Sequence, residues 1–326
     1  MKELKIGNVV LDNPVILAPM AGITNFAYRK MLKEFGCGLV VTEMISDHGL
    51  IYGNDETKNM LYTKDEKPLS IQLFGGDKES MVKATHILCD NYDFDILDLN
   101  MGCPVLKVVK GNSGSSWLKE DRQEELYDTV KAIVEASTKP VTVKIRIGWD
   151  ESSITAIETC KILEKAGVSL IAVHGRTRSQ FYSGSTNYEI IKKCKESVNV
   201  PVIANGDINS VDDAIRVLEY TGCDGIMIGR GALGNPNLIR QLVTYFKTGE
   251  RVGESTLNDQ VEYCKKHYNY LMELKGEFRA TAEMRGLASH YFKGFEGAKA
   301  YRGRLSQCKS KNDFMSVMKE IIAQNK

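Results

Sequence analysis

Short apolar runs recur along the first three-quarters of the chain, each followed by a polar turn and then a stretch whose apolar positions fall at helical spacing. Eight such units can be read. The runs predict strands near 15–18, 39–42, 69–73, 96–100, 141–146, 170–174, 201–204 and 225–228. Between them the spacing predicts helices near 25–35, 47–59, 78–90, 122–136, 153–166, 187–197, 210–220 and 235–247, with Asn, Asp or Ser near many starts and Gly or Pro near many ends. Strict alternation of strand and helix requires a parallel sheet, because each crossover needs a helix to return the chain to the same edge. Eight repeats imply an α/β fold of the (β/α)8 TIM barrel type. A doubly wound open sheet usually carries fewer units, and the Gly-rich dinucleotide fingerprint is absent after the first strand, where Pro19-Met20-Ala21-Gly22 stands.

The alternation stops near Thr248. Residues 257–275, 279–293, 296–307 and 311–324 read as helices only, broken at Gly276, Gly294 and Ser310. The expected division is therefore a catalytic barrel over 1–247 and a smaller all-helical C-terminal domain over 248–326. Between Lys275 and Lys311 the second part carries Lys275, Arg279, Arg285, Lys293, Lys299, Arg302, Arg304, Lys309 and Lys311 against Glu277, Glu283 and Glu296. Phe278, Tyr291, Phe292, Phe295 and Tyr301 are interleaved with them. Such a surface suits an RNA backbone with exposed bases. A small bundle with an aromatic core and a solvated charged face has the same composition.

Composition changes the picture little. The 326 residues, 43% of them hydrophobic, can bury a full core, and 43 Lys and Arg nearly balance 42 Asp and Glu. A net charge of +1 means that any basic surface must be local. No apolar run reaches the length of a membrane span, and Met1 to Lys5 lacks the apolar stretch of a secretion signal, so a cytoplasmic protein is expected. The eight cysteines show neither metal-ligand spacing nor a disulfide framework, so no metal is expected.

Barrel sites are built from the loops at the strands' C-terminal ends. The polar residues there are Glu43, Gln72, Asn100 with Cys103, Lys144 with Arg146, His174 with Arg176 and Arg178, Asn205 to Asp207, and Gly229-Arg230-Gly231, beside Pro19 and Met20 of the first unit. The fourth unit, Asp95 to Pro104, ends an apolar run in a Gly-Cys-Pro turn that presents Asn100 and Cys103. The glycine-opened ends of the seventh and eighth strands are where such barrels bind phosphate, through backbone amides and here one guanidinium. A flavin mononucleotide fits that demand: Gln72 can hydrogen-bond the ring edge, and Lys144 can stabilise negative charge on the reduced ring. Taken singly, Gln72 or His174 reads better as a satisfied interior polar group; their shared location carries the inference.

Several segments together resemble one family, the tRNA-dihydrouridine synthases: Leu17-Ala18-Pro19-Met20-Ala21-Gly22-Ile23-Thr24, Gln72-Leu73-Phe74-Gly75, Leu99-Asn100-Met101-Gly102-Cys103-Pro104, Val143-Lys144-Ile145-Arg146, His174-Gly175-Arg176-Thr177-Arg178-Ser179-Gln180 and Asn205-Gly206-Asp207-Ile208. The resemblance covers the whole chain. It implies a barrel that binds FMN, NADPH as the reductant, and reduction of a D-loop uridine of tRNA, with the helical domain helping to hold the tRNA. By resemblance, Pro19, Met20, Gln72, Lys144, His174, Asn205, Gly206, Asp207, Gly229 and Arg230 fall at FMN-contacting positions, and Cys103 at that of the catalytic acid. Asn100, Arg146, Arg176 and Arg178 fall where the family contacts the flipped uracil and its phosphates, and Arg285 in the tRNA-binding helices. Hydride would pass from flavin N5 to C6 and a proton from Cys103 to C5, so the cysteine should react as the thiol. One departure is Trp117, bulky where the family commonly has small or aliphatic residues after the Cys loop; packing under that loop is its expected role. A dihydroorotate-dehydrogenase-like enzyme shares the Asn-x-x-Cys-Pro segment, but Val105 stands where that family commonly has Asn. An RNA-binding protein without catalysis would not require Cys103, Lys144 and His174 together.

Overall fold

The computed structural model describes residues 3–323. An antiparallel hairpin, Leu4–Ile6 with Val9–Leu11, comes first; its strands are too short to register as alternation in the sequence. Eight parallel strands follow: β1 (Val15–Leu17), β2 (Val40–Ser46), β3 (Leu69–Phe74), β4 (Ile96–Met101), β5 (Val141–Arg146), β6 (Leu170–His174), β7 (Val202–Asn205) and β8 (Gly225–Ile228). Each pairs with its sequence neighbour from β2 to β8, and β8 pairs with β1. The Leu17 amide reaches the Leu39 carbonyl at 2.9 Å, and a parallel bridge joins Ile16 to Leu39, which closes the sheet. The fold is a (β/α)8 barrel, as the alternation predicts.

Period-two alternation divides the strands' side chains between two cores. Ile16, Leu39, Val41, Ile96, Ala172, Ile203 and Met227 point into the barrel and cluster with Leu4, Ile6 and Leu11 of the hairpin, which plugs the N-terminal end. Val15, Leu17, Leu97, Leu99, Val143 and Val173 face outward against the helices. Those helices are α1 (Phe26–Glu34), α2 (Asp47–Ile51), α3 (Asp55–Met60), α4 (Lys78–Asn91), α5 (Leu106–Lys110), α6 (Gln123–Ala136), α7 (Ala156–Lys165), α8 (Tyr188–Ser197), α9 (Val211–Thr221) and α10 (Asn237–Thr248). Side-chain N-caps begin α1 (Asn25), α4 (Asp77), α8 (Asn187) and α9 (Ser210), each satisfying an otherwise orphaned amide. The expected helix over 47–59 is two helices, because Gly53 turns left-handed and Asn54 caps a new start. Strand β2 runs to Ser46, past its expected end, through a register shift between Val41 and Met44.

Beyond the barrel, α11 (Leu257–Leu287) starts with a capping box between Thr256 and Asp259. It kinks at Gly276, whose φ of 76° and ψ of 165° interrupt the helix at the expected break. A 3-10 turn (Ala288–Phe292), α12 (Ala298–Leu305) and α13 (Lys311–Ala323) complete the described chain, so the expected last helical residue, 324, lies outside it. The aromatics of this segment are mostly core, as the bundle reading expects. Tyr291, Phe292 and Tyr301 are core and Phe295 is half-buried, whereas Phe278 is 81% exposed. The segment docks on α1: Phe35 meets Tyr263 edge-on at 4.9 Å, Lys30 lies 4.2 Å over the Tyr270 ring, and Lys266 and Tyr270 both reach Glu34. Buried beneath them, the Tyr291 hydroxyl and His267 Nδ1 share a hydrogen bond of 3.0 Å.

The joint between barrel and helices rests on Gly234, which has a φ of 73° and would place a Cβ 2.3 Å from the carbonyl carbon of His290. Gly234→Ala is therefore expected to cost about 2 kcal/mol or more through strain and contact together. Thermal denaturation should show a lowered transition; an unchanged one would mean that the joint is looser than this packing.

Candidate active site

Parallel register brings the polar inward positions together at the C-terminal mouth. Gln72 lies beside Asp98, Asp98 beside Thr142, Asn100 beside Lys144, Arg146 beside His174, and His174 beside Asn205. Gln72, Asn100, Lys144, Arg146, His174 and Asn205 border a cavity of about 780 Å³ that is also lined by Pro19, Met20, Cys103, Gly206, Asp207, Gly229 and Arg230, while Asp98 and Thr142 lie outside its lining. Of the sequence-derived site residues, Glu43, whose carboxylate accepts the Gly22 amide instead, Arg176, Arg178 and Arg285 are the four that do not line it. Met44, Phe181, Tyr182, His290 and Lys293 do, and none of them was singled out for the site from the sequence. The first three sit in loops or at a strand bulge without a motif, and the last two arrive from the C-terminal segment.

Cys103 is half-buried in a tightly held turn. Asn100 Oδ1 accepts the amides of Gly102 (3.2 Å) and Cys103 (3.0 Å), and the Cys103 carbonyl accepts the Ser115 amide at 3.0 Å. Gly114, with a φ of 58°, packs so closely that a Cβ there would lie 2.8 Å from the Cys103 carbonyl oxygen. Trp117 is fully buried; its indole donates to the Gly75 carbonyl at 3.0 Å, and the Arg122 guanidinium lies 3.8 Å over its ring. Burial pushes the Cys103 thiol above its ordinary value, against the opposing pull of the Val105 amide, Arg146 and Lys144. The cysteine is thus a protonated thiol at neutral pH.

Lys144 and His174 line the same cavity. Lys144 is half-buried and makes no side-chain hydrogen bond or ion pair among the described residues; burial, reinforced by Arg146, brings it down to about 8 despite Asp98. Burial, then the cations Lys144, Arg146, Arg176 and Arg230, push His174 far down, so its imidazole is neutral. Asn205 donates to the Met227 carbonyl at 2.8 Å, tying β7 to β8.

The arginines divide by burial. Arg146, buried with its pKa lowered to about 10 by that burial, donates to the carbonyls of Gly102 (3.0 Å), Thr177 (2.8 Å) and Phe181 (2.7 Å). One guanidinium therefore joins the Cys103 turn to the loop after β6, where Phe181 is held at a φ of 51°. Arg176 is buried and donates to Ser183, Gly184, Thr186 and Asp207, its bond to the Asp207 carboxylate being 2.7 Å. Burial works to raise Asp207, yet hydrogen bonds from Arg176 and Thr186 hold it below the usual carboxylate range. Arg178 lies 4.3 Å over the Trp149 ring, and Arg285 Nε donates to the Cys308 carbonyl at 2.8 Å. Arg230, in the mouth, lies 4.5 Å from the Tyr182 ring and 3.6 Å from the Asp207 carboxylate, its side chain more than half exposed.

Fold and mouth together define a class, a (β/α)8-barrel enzyme whose site sets a protonated thiol and surplus positive charge around one cavity. Comparison with known proteins narrows it. A family model described as dihydrouridine synthase (Dus) matches residues 16–326. A probable tRNA-dihydrouridine synthase of Rickettsia conorii is 39% identical, covering 98% of this chain and 95% of its own. The tRNA-dihydrouridine synthase B of Pseudomonas syringae pv. tomato is 35% identical over 99% and 96%. A probable tRNA-dihydrouridine synthase 1 of Synechocystis sp. is 36% identical over 99% and 90%. The chain belongs to the dihydrouridine synthase family.

Two thiol and amine titrations test this electrostatic picture. Alkylation of Cys103 by iodoacetamide, followed by peptide mapping, should be slow at neutral pH and still be climbing above about pH 9; a plateau below that would mean a stabilised thiolate. Lys144 should react with trinitrobenzenesulfonate with a midpoint near pH 8, because its ammonium is present below that pH and lost above it. A midpoint above 10, where ordinary lysines titrate, would show that its burial is relieved in solution.

Proposed function

We propose that the protein is a flavin-dependent oxidoreductase that reduces the C5=C6 bond of a D-loop uridine in tRNA, with FMN in the barrel mouth and NADPH as electron donor. Family membership and the names of its relatives support the substrate and the reaction. The observation that carries the mechanism is the protonated Cys103 thiol at the edge of a polar, cation-rich cavity.

The residues present fit FMN. Asn205 to Asp207 and Gly229 to Gly231 form a cradle in which a Cβ on Gly206 would lie 3.0 Å from His174 Cδ2, and one on Gly231 would lie 2.4 Å from the Ile208 carbonyl oxygen. Arg230 and the neutral His174 offer donors on the phosphate side. Gln72, Lys144, Pro19 and Met20 line the same cavity and would hold the ring. Bound FMN would supply hydride to uracil C6, having taken it from NADPH.

The protein's own work is then to bind, orient and protonate. Cys103 donates its proton to C5 and is thereby left as a thiolate, a task that calls for a thiol kept protonated until use. Asn100 holds the turn that aims it, and Arg146 ties that turn to the loop after β6. The Lys144 ammonium stabilises negative charge developing in the cavity. The uracil must leave its stack to enter, and Lys293 at the rim suits the backbone phosphates beside it. The helical segment from 248 onward would grip the rest of the tRNA through the exposed Arg279, Arg285, Lys299, Arg302, Lys309 and Lys311. All eight cysteines are free, which suits work in the reducing cytoplasm.

The test is anaerobic. Flavin reduced with NADPH should be reoxidised rapidly by unmodified tRNA transcript and not by orotate. Cys103→Ala should retain FMN while losing about 10²–10⁴ in the reoxidation rate, the usual worth of a positioned acid. Absence of bound flavin, or reoxidation indifferent to tRNA, would sink the proposal; orotate as the faster oxidant would point to free pyrimidine chemistry instead.

A further inference from the structure

A buried carboxylate that no part of the mechanism above uses lies beneath the Cys103 turn. Asp98, on β4, is 3% exposed and sits among three strands. Its Oδ1 accepts the Thr142 hydroxyl at 2.6 Å, and its Oδ2 accepts Gln72 Nε2 at 2.6 Å. Gln72 Oε1 in turn accepts Asn100 Nδ2 at 2.8 Å, and Asn100 Oδ1 accepts the amides of Gly102 and Cys103. Every link points the same way, from the Cys103 amide through two carboxamides to one carboxylate.

We propose that Asp98 is a positioning residue for Cys103, acting through the Gln72–Asn100 relay that fixes the orientation of both carboxamides. An ionised carboxylate only accepts hydrogen bonds, so it dictates that Gln72 turns its nitrogen inward and its oxygen toward Asn100. That choice forces Asn100 to turn its own nitrogen to Gln72 and its oxygen to the two turn amides. Reversing either carboxamide sets oxygen against oxygen at Asp98 or nitrogen against N–H at Cys103, and both contacts are repulsive. Bonds to a charged acceptor are short and strong, as the two 2.6 Å distances are, so the orienting power is greatest at the buried end. Burial raises Asp98, while Thr142, Gln72 and Lys144 oppose that rise and favour the ionised acceptor. Gln72 and Asn100 both line the cavity, so the same relay couples the cavity wall to the thiol's turn.

The catalytic part of this inference rests on the proposed synthase activity; the structural part does not, and the test separates them. Amide hydrogen exchange across Asn100–Val105 and iodoacetamide alkylation of Cys103 are measured on the purified protein, without turnover. Asp98→Leu should speed both by about tenfold or more while exchange in the outer helices stays at the wild-type level. Asp98→Asn keeps an oxygen for Gln72 but loses the charge and can turn a donor inward, so it should speed both, though by less than Asp98→Leu. Gln72→Met cuts the relay one link on, leaves Asp98 in place and should reproduce the Asp98→Leu effect, and combining the two should add little because both break one chain. If Asp98→Leu does not fold, Gln72→Met and Asp98→Asn decide the matter on the same readouts. Wild-type exchange and alkylation in folded Asp98→Leu or Gln72→Met, or full additivity of the two, overturns the relay. Uridine reduction by Asp98→Leu should fall in parallel with the loosening of the turn; no reduction by wild type would count against the activity and leave the exchange result standing.

Discussion

Closure of the eight-stranded parallel sheet is the constraint from which the rest of this structure follows. Once β1 is paired with β8 on one side and bridged to Leu39 on the other, every strand has one inward and one outward face. The outward face must be apolar to meet the helices, and the inward face must fill a narrow tube. Apolar side chains do this at the N-terminal end, where the hairpin adds its own plug. At the C-terminal end the tube opens, and there Gln72, Asp98, Asn100, Thr142, Lys144, Arg146, His174 and Asn205 can be polar because they hydrogen-bond one another, bond the loop backbones or face the cavity.

The loops at that end are held by charge used structurally. Arg146 binds three carbonyls on two loops, and Arg176 with Asp207 fastens the loop after β6 to the end of β7. Both guanidiniums are buried, and each spends its donors on carbonyls, a hydroxyl or a carboxylate of the protein. Such groups contribute by making a loop adopt one conformation; an unpaired buried cation would cost far more than these bonds return. The same economy explains why Cys103 is a thiol. A half-buried sulfur with cations near but not in contact keeps its proton.

Much of the fold was legible. Eight units, their order and the Gly276 break follow from apolar periodicity and glycine, signals that are local in the chain. The hairpin and the split of 47–59 were not, since three-residue strands carry no usable period and one left-handed glycine divides a helix whose polar pattern continues. For the site, the strand-end rule identified most of the cavity wall. It also collected Arg176 and Arg178, which lie beside the right strand and point elsewhere: a guanidinium's direction is decided by which carbonyls surround it, and those belong to loops distant in sequence. Asp98 lay within the motif itself and shares the inward parity of Asn100, so alternation alone could have marked it.

The sequence by itself determined the barrel, the helical C-terminal segment and the set of strand ends from which a site could be drawn, because each depends on short-range periodicity and on residue chemistry. Only the tertiary structure decided which of the basic and aromatic residues are surface and which are core, that His290 and Lys293 come back to the barrel mouth, and that the carboxamides of Gln72 and Asn100 face one way. These depend on contacts between residues far apart in the chain, where packing and hydrogen-bond direction select among side chains that composition leaves equivalent.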